Sequence, residues 1–359
     1  MSEKIPQSSS EQMEPNLVQN VDLIGDNESQ QQATKKLHQK SGKDNVTQQQ
    51  ATTKKCVENN LNQKSDKDED KTNFSIEELP DSMFKLECHV PKAFFGGIIG
   101  FRSNTKRRLE SETETEIILK HHRTPNSLII KGKSRSNLLA ARDKINEILI
   151  SLRKRLLKTH FVGIDLHKSD IREKFIDFRT QVLEKSYPGI DERLFMSDNR
   201  LHLTLQTCVL LDEIERTEAV KILQNCSKYL KGITTPFDIK VTGLNIMNDN
   251  PSAVRVLYGV VDAPELQKFA DLCLAPFIKS GFSFKDYNQD NVKLHMTVMN
   301  SRYRKNNRGN RQNTFDAREL LKQFGSFNFG SAECSDVSLC VIRTGRESVF
   351  YKIIGTLNF

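Results

Sequence analysis

The sequence predicts an α+β protein with two folded domains behind an irregular N-terminal tail, and three observations support this. Strand-like and helix-like segments alternate from Phe84 to the last residue. The first aromatic residue is Phe74, so the 73 residues before it lack the large side chains of a core. A short pattern, His-x-Thr between apolar residues, occurs twice, as LHLTLQT at 201–207 and as KLHMTVM at 293–299.

Composition limits the classes of function. The chain has 359 residues and carries 54 Lys and Arg against 46 Asp and Glu, a net charge of +8. The first 73 residues hold 12 acidic and 10 basic side chains, so the positive excess belongs to the domains and favours an anionic partner. No apolar run reaches the roughly 18 residues of a membrane span, so no membrane partner is expected. Seven cysteines without a CxxC pair indicate reduced thiols and no structural zinc site.

Residues 1–75 are predicted to form a disordered, low-complexity tail. The segment QQQATKKLHQKSGKD at 30–44 partly recurs at 48–70, which raises the question of a repeat architecture. Neither copy has an apolar face that could be buried against the other. We therefore interpret the repeat as a duplication within a disordered segment.

The first domain is predicted at 82–157, in the order strand, helix, helix, strand, strand, helix. Its strands are FKLECHVP (84–91), TEIIL (115–119) and LIIKG (128–132). A short first helix presents Ala93, Phe94, Ile98 and Ile99 on one face and ends at Gly100, and a second begins near Asn104. The third begins near Ser134, with apolar residues at steps of three or four: Leu138, Ala141, Ile145, Ile148, Leu152 and Leu156.

This order, with IIG at 98–100 and the basic run that follows, resembles a type I KH domain. The resemblance implies that the loop between the first two helices clamps about four nucleotides of single-stranded RNA or DNA. The residues implied in binding are Ile99, Gly100, Phe101, Arg102, Ser103, Lys106, Arg107 and Arg108. Ser103 replaces the second glycine of the family's IIGxxG loop, and its Cβ opposes close approach of the backbone to a phosphate. A KH fold kept only as a scaffold is the alternative.

The second domain is predicted at 158–359, with strands and helices mixed in two similar halves. THFVGIDL (159–166) is a strand, and the following helix is opened by Asp170 and Glu173. Each half then contains one of the two His-x-Thr strands. The other predicted elements are helices at Asp212–Leu230, from Pro264 and at Asp316–Phe324, strands at 237–247 and 253–261, and three late strands.

The spacing within each His-x-Thr strand places the two polar residues together. Residues i and i+2 of a strand share a face, so His202 and Thr204 lie opposite the leucines around them. The same holds for His295 and Thr297. Two imidazoles in one cleft can act as base and acid on a phosphodiester, and the threonine hydroxyls can donate to its oxygens. We therefore predict these four residues as catalytic, with no metal and no cofactor.

Two complete His-x-Thr motifs at domain-scale separation resemble the 2H phosphoesterase superfamily. The resemblance implies a two-lobed, pseudo-symmetric fold like that of 2′–5′ RNA ligase-like and A-kinase anchor protein 7-like phosphoesterase domains. It also implies action on 2′,3′-cyclic or 2′–5′ linkages. A site that retains its shape but has lost its activity is the alternative.

A KH domain followed directly by a 2H domain resembles a family of accessory subunits of the activating signal cointegrator complex. The segments VPKAFFGGIIG, LESETETEI and KLHMTVMNSRYRK carry this resemblance. It implies a helicase and other complex subunits as partners, a nuclear location with the cytoplasm as an alternative, and roles in transcriptional coactivation and repair of alkylated DNA. A stand-alone 2H phosphoesterase remains the alternative.

Two further features are open to two interpretations, and two more histidines are expected to be structural. The basic loop RYRKNNRGNR at 302–311 could draw phosphates toward the cleft or could simply be solvated. Tyr351 could stack on a base, but a core or surface aromatic is favoured. His160 and His167 flank the first strand of the second domain, and structural roles are expected for both.

Overall fold

The structure is a computed structural model that describes residues 75–120, 126–285, 291–304, 314–343 and 350–359. The predicted tail lies outside the described residues except for its last position. The elements below belong to one compact unit of the chain, Lys71–Phe359. In the described ranges, no helix has both the length and the apolar character needed to cross a bilayer.

The first domain has four antiparallel strands on one side and three helices on the other. The strands stand in the order β1-β2-β4-β3, so the last strand in sequence lies in the interior of the sheet. The elements are β1 (Ile76–Glu78), β2 (Phe84–His89), α1 (Phe95–Ile99), α2 (Asn104–Thr113), β3 (Thr115–Lys120), β4 (Ser127–Gly132) and α3 (Arg135–Lys154). The predicted order of elements is confirmed, and Ser134 caps α3 by accepting from Asn137 N–H.

Two local predictions for this domain are wrong, and one strand was not predicted. Ala93 lies in a short 3₁₀ turn and is exposed, and Phe95 is buried in its place beside Phe94 and Ile98. Leu156 is also exposed, because α3 ends at Lys154, two residues before it. The short edge strand β1 was not predicted, since three residues are too few to show a period.

The second domain is built on a sheet of eight described strands, in the order β10-β7-β8-β9-β6-β5-β11-β12. The strands are β5 (His160–Asp165), β6 (His202–Cys208), β7 (Phe237–Ile246), β8 (Val256–Asp262), β9 (His295–Asn300), β10 (Asn328–Cys334), β11 (Asp336–Val341) and β12 (Lys352–Asn358). The helices are α4 (Ile171–Glu184), α5 (Glu213–Asn225), α6 (Pro264–Lys279) and α7 (Arg318–Phe324). The two His-x-Thr strands, β6 and β9, are neighbours at the centre, with two halves arranged around them.

The core of this domain is aromatic and lies between the sheet and its helices. Phe178 of α4 is in ring contact with Phe195, Phe324, Phe327 and Phe329 at centroid distances of 5.3 to 6.2 Å. On α6 the predicted inner positions are all buried: Leu266, Phe269, Cys273 and Phe277. The predicted cap at Asp170 is wrong, because its backbone is already helical and its side chain makes no cap hydrogen bond.

The two domains meet at a seam around Arg153 of α3. Its guanidinium donates to the Val209 carbonyl oxygen at 2.6 Å and forms a two-pronged ion pair with Glu215 of α5. The side chains of Arg153 and Glu215 are 7% and 4% exposed. The guanidinium also lies 4.9 Å from the ring centroid of Phe94 in the first domain and 5.5 Å from that of Phe282 in the second.

A second contact reinforces the seam. His89 of β2 is hydrogen-bonded to the Asp212 carboxylate at 2.8 Å, and Asp212 also caps α5 through the Glu215 N–H. Leu211, which belongs to the second domain, packs against the core of the first. The two domains therefore share buried contacts, which a flexible linker would not provide.

Candidate active site and nucleic-acid interface

The two His-x-Thr motifs meet at the middle of the large sheet. Strands β6 and β9 are antiparallel and paired at Leu203 and Met296, the central residues of the two motifs. Antiparallel pairing at that point places His202 across from Thr297 and Thr204 across from His295. Leu203 and Met296 are fully buried, whereas the four polar side chains lie half-buried on the opposite face. The predicted catalytic residues are thus brought together.

The strands flanking this pair repeat the symmetry in their register. In β5, Gly163 pairs with Thr204 and Asp165 with His202, and a bulge follows between Val162 and Gly163. In β8, Tyr258 pairs with Thr297 and Val260 with His295, with a bulge between Leu257 and Tyr258. The two halves therefore share the same pairing register, including a bulge at the same position relative to the His-x-Thr motif.

Each histidine is oriented by the same local hydrogen bond. His202 Nδ1 lies 2.7 Å from the carbonyl oxygen of Arg200, and His295 Nδ1 lies 2.8 Å from that of Lys293. A carbonyl oxygen only accepts, so each Nδ1 carries the proton and donates it. The lone pair of a neutral imidazole is then on Nε2, the nitrogen available for proton transfer in the cleft.

Each half also places a cation and a tyrosine beside its histidine. The Arg200 guanidinium lies 5.0 Å from the ring centroid of Tyr351, whose edge meets His202 at 5.1 Å. The Lys293 ammonium lies 5.1 Å from the centroid of Tyr258, which meets His295 at 5.5 Å. Stacking on tyrosine holds both positive charges near the two histidines.

The environment of the cleft disfavours protonation of both imidazoles. Burial lowers the pKa of His202 to about 4, and positive charge on His295 and Arg200 acts in the same direction. The Asp165 carboxylate and the hydrogen bond to Arg200 oppose this shift. Burial also lowers the pKa of His295, assisted by the charge of Lys293. Positive charge on His295 further lowers the pKa of His202, so protonation of both rings at once is disfavoured.

Thr204 and Thr297 are available to a ligand. Within the described parts of the chain, neither hydroxyl makes a hydrogen bond to protein, and both lie on the face of the histidines. Among those same residues, no group of three or more His, Cys, Asp or Glu side chains is placed to hold a metal ion.

The loop predicted to bind nucleic acid keeps its left-handed backbone despite the missing glycine. Gly100 has φ of 70°, and a Cβ there would lie 2.1 Å from Thr105 Oγ1, so only glycine fits. Arg102 and Ser103 follow with φ of 49° and 63°. Ser103 therefore adopts the conformation that glycine prefers, at a cost of about 1 kcal/mol. The Cβ of Ser103 is therefore the one difference from the family's glycine at this position.

The basic residues after this loop are not equally available. Lys106 is paired with Glu110 at 2.8 Å, and Arg108 lies 3.8 Å from Glu112. Arg107 is exposed and has no ion pair among the described residues. Beside Gly100, Phe101 is 78% exposed with the Arg102 guanidinium 5.2 Å from its ring centroid, a flat apolar surface next to positive charge.

The predicted basic loop at 302–311 is described only as far as Arg304. Arg304 is not solvated: it is buried, and its guanidinium donates to the Gly189 carbonyl oxygen at 2.8 Å and to Asp191 at 3.2 Å. Neither interpretation of the loop therefore applies to Arg304, and residues 305–311 lie outside the described residues.

Sequence reasoning identified only part of the surroundings of the histidines. Tyr351 was singled out, with a core or surface aromatic favoured over stacking on a base, and Tyr258 was not considered. Arg200 and Lys293 were not singled out, although the sequence holds a signal for them: a basic residue stands two positions before each histidine, in RLHLT and KLHMT.

Comparison with known families agrees with this architecture. Residues 158–359 match the family model described as the AKAP7 2′5′ RNA ligase-like domain. Residues 85–147 match that of the KH domain. The first match covers more than half of the chain.

Individual relatives support the same grouping. Activating signal cointegrator 1 complex subunit 1 of Mus musculus is 32% identical over 280 residues, which cover 71% of this chain and 78% of the mouse protein. Two solved structures each cover 56% of this chain. E. coli LigT complexed with 3′-AMP is 19% identical over 98% of its chain, with a TM-score of 0.38. TT0787 of Thermus thermophilus is 14% identical over 97% of its chain, with a TM-score of 0.40.

TM-scores of this size support no conclusion about function, so the assignment depends on the family models and the mouse relative. The chain therefore belongs to the family of activating signal cointegrator 1 complex subunit 1, in which a KH domain precedes an AKAP7 2′5′ RNA ligase-like domain.

Proposed function

We propose that this protein is a single-stranded nucleic-acid-binding subunit of an activating signal cointegrator complex and carries a metal-independent RNA phosphodiesterase site. The observation that carries the catalytic part is the matched orientation of the two histidines. Each Nδ1 is committed to a backbone carbonyl, which leaves each Nε2 for proton transfer at one shared cleft. A site that had lost its activity and kept only its shape would not need hydrogen bonds that fix the tautomer of both histidines.

The reaction follows from these atoms. His202 Nε2 takes a proton from water or from a ribose 2′-OH, and His295 Nε2 donates a proton to the leaving oxygen. We assign the base to His202 because its pKa of about 4 keeps it neutral across the neutral range. The anionic phosphate between the rings favours uptake of the one proton that His295 needs. Thr204 and Thr297 donate to the non-bridging oxygens as charge builds on them.

The catalytic proposal is tested with purified protein in EDTA. It should open a nucleoside 2′,3′-cyclic phosphate or cleave a short 2′–5′ linked oligonucleotide. His202→Ala and His295→Ala should each lower the rate by a factor of about 10² to 10⁴. His160→Gln is the matched control, because His160 lies on the neighbouring strand and outside the cleft. Activity that chelator abolishes, or that both alanine variants retain, rejects the mechanism.

The nucleic-acid-binding part is supported by the loop around Gly100. Its left-handed backbone is retained, Phe101 presents a stacking surface, and Arg107 is exposed without an ion pair to any described residue. Arg107→Glu should weaken binding of a single-stranded RNA and flatten its salt dependence, because fewer counterions are released. Lys322→Glu on α7 is the charge-matched control. Equal affinities and equal salt slopes in fluorescence anisotropy would leave the KH fold as a scaffold.

The subunit role is supported by the identity with the mouse protein over most of both chains. The proposed role includes a nuclear location, a helicase among the partners, and participation in transcriptional coactivation and repair of alkylated DNA. Tagged protein purified from nuclear extract should bring down a helicase in stoichiometric amount. Recovery of the tagged chain alone would favour a stand-alone 2H phosphoesterase that hydrolyses 2′,3′-cyclic or 2′–5′ linkages in RNA.

A further inference from the structure

The short segment before the second His-x-Thr strand lies outside the sheet. Residues 291–294 form no strand, and the pairing of β9 with β8 begins at His295 itself, opposite Val260. The carbonyl oxygen of Lys293, in this segment, nevertheless accepts the hydrogen bond that orients His295. The position of this carbonyl therefore depends on contacts other than the strand pairing.

Two side chains of α6 hold this segment at Val292. Gln267 and Asp271 are one helical turn apart and so lie on the same side of the helix. Asp271 Oδ1 accepts from the Val292 N–H at 2.7 Å, and the Gln267 amide donates to the Val292 carbonyl oxygen at 2.8 Å. The amide uses its second hydrogen to donate to Asp271 Oδ1 at 3.0 Å. We call this ring of three hydrogen bonds the α6 clamp.

The α6 clamp fixes the backbone directly before the carbonyl that orients His295. Both polar groups of the Val292 backbone are engaged, and the Val292 side chain packs against the core of the domain. The Leu294 N–H also donates to the Val292 carbonyl oxygen, at 3.1 Å, and closes a three-residue turn centred on Lys293. The oxygen held by Gln267 therefore also holds the turn that presents the Lys293 carbonyl.

A helix also holds the segment before the first His-x-Thr strand. The Arg200 carbonyl, which orients His202, ends the short turn Asp198–Arg200. Arg172 of α4 donates twice to Asp198 Oδ2, at 2.9 and 2.5 Å. In each half, a carboxylate thus joins a helix to the segment whose carbonyl sets the tautomer of the histidine. The two halves achieve this with different residues, which indicates a shared requirement of the site.

We propose that Gln267 and Asp271 are positioning residues for His295. By holding the backbone at residue 292, they place the Lys293 carbonyl oxygen where it keeps the ring proton on Nδ1. The other ring nitrogen, Nε2, is then the one presented to the cleft. The inference rests on the proposed phosphodiesterase site and adds the means by which its acid is oriented.

The α6 clamp also bears on the protonation of His295. Burial lowers the pKa of His295, and the hydrogen bond to the Lys293 carbonyl oxygen opposes this shift. A displaced carbonyl should therefore lower the pKa of His295 further, so that the ring loses its proton at lower pH. The other titratable groups near this ring, His202, Lys293 and Tyr258, are left unchanged by the variants below.

Nuclear magnetic resonance of the full chain, labelled with ¹⁵N-histidine, tests the inference without turnover. The ring-nitrogen shifts of His295, assigned by their absence from His295→Gln, should show one tautomer with the proton on Nδ1. Asp271→Ala should give a mixture of tautomers and a lower pKa of His295. Asp271→Asn removes the charge but keeps an oxygen acceptor in the same place, so it should retain the single tautomer and most of the pKa.

Kinetics of the same variants separate positioning from a loss of fold. Asp271→Ala should lower kcat by up to about 10²-fold with little change in KM, because the reacting groups are misaligned while the substrate still binds. The alkaline limb of its pH–rate profile should move to lower pH, and Asp271→Asn should restore both. Lys268→Ala is the matched control, since Lys268 lies on the same helix and pairs with Glu265 at the surface.

Gln267→Ala removes the donor to the Val292 carbonyl and should act in the same direction as Asp271→Ala, so it decides the test if the thermal midpoint shows that Asp271→Ala does not fold. An unchanged tautomer and pKa of His295 in both variants would overturn the inference. So would an Asp271→Asn variant as impaired as Asp271→Ala, because charge alone would then explain the effect. Absence of turnover in the unmodified protein would reject the phosphodiesterase, and the resonance result alone would then support or overturn the α6 clamp.

Discussion

Replacing Glu215 with leucine should destabilise the protein by about 3–5 kcal/mol, the usual loss when one partner of a buried ion pair is removed. The structure shows where this comes from. Glu215 accepts two hydrogen bonds from the Arg153 guanidinium and one from Leu211 N–H at 2.8 Å. Each charge-assisted bond contributes roughly 1.5–3 kcal/mol, and Glu215→Leu leaves the Arg153 charge buried with the Val209 carbonyl as its main partner.

Urea unfolding followed by far-ultraviolet circular dichroism measures the effect, since the chain contains no tryptophan. Adding Arg153→Met to Glu215→Leu should recover part of the loss, because the uncompensated charge is then removed. Arg318→Met is the control, since its pair with Asp316 is exposed and its loss should barely move the midpoint.

The same experiment reports on the joining of the two domains. The unmodified protein should unfold in one transition, because the buried Arg153–Glu215 ion pair and the partly buried Leu211 and His89 connect the domains. Glu215→Leu should separate the transition into two, or lower the dependence of the unfolding free energy on urea concentration. A loss equal to that of Arg318→Met, with one unchanged transition, would refute the reasoning that the seam holds the domains together.

Three further predictions concern the cleft, acid stability and the loop. Arg200 and Lys293 each carry a positive charge that lowers the pKa of the neighbouring histidine. Arg200→Met should therefore shift the acid limb of the pH–rate profile up by about 0.5 unit, and Lys293→Met should shift the alkaline limb up by a similar amount. The reverse pattern would mean that His295 is the base and His202 the acid. Burial lowers the pKa of His160 to about 4, below about 6.5 in the unfolded chain. The unfolded state then binds more protons as pH falls from 6.5 to 4, so up to about 3 kcal/mol of stability is lost in that window. His160→Gln should reduce the fall of the urea midpoint between pH 6.5 and pH 4. An unchanged fall would refute the lowered pKa of His160. Ser103→Gly should stabilise the chain by about 0.5–1 kcal/mol, since glycine adopts its φ without strain; a lower thermal midpoint would contradict this.

The central strands were predictable because their pattern is local. Alternation of buried leucines with His202 and Thr204 sets the face of each side chain without reference to any distant residue. The KH-type order of elements was equally local, since its strands and helices carry clear apolar periods and end at turn residues such as Gly100.

The seam and the surroundings of the histidines could not be predicted in this way. Arg153 and Glu215 stand 62 positions apart, and each on its own is typical of a solvated helix face. Only the packing of two domains decides that both are buried. Tyr351 approaches His202 from the far end of the chain, where a single aromatic at the start of a strand has many ordinary roles. Ala93 was misplaced because a 3₁₀ turn precedes α1 and rotates the apolar face.

The ladders on either side of Leu203 and Met296 agree in register but differ in residues. Asp165 stands across from His202, whereas Val260 stands across from His295. Gly163 faces Thr204, where a Cβ would lie 2.3 Å from the Leu203 carbonyl oxygen, and Tyr258 fills the matching position. An RNA strand has two different ends, and a perfectly two-fold site would accept it in both directions. For the proposed phosphodiesterase site, these two unequal pairs distinguish the two directions of the strand, which the four matched motif residues cannot do.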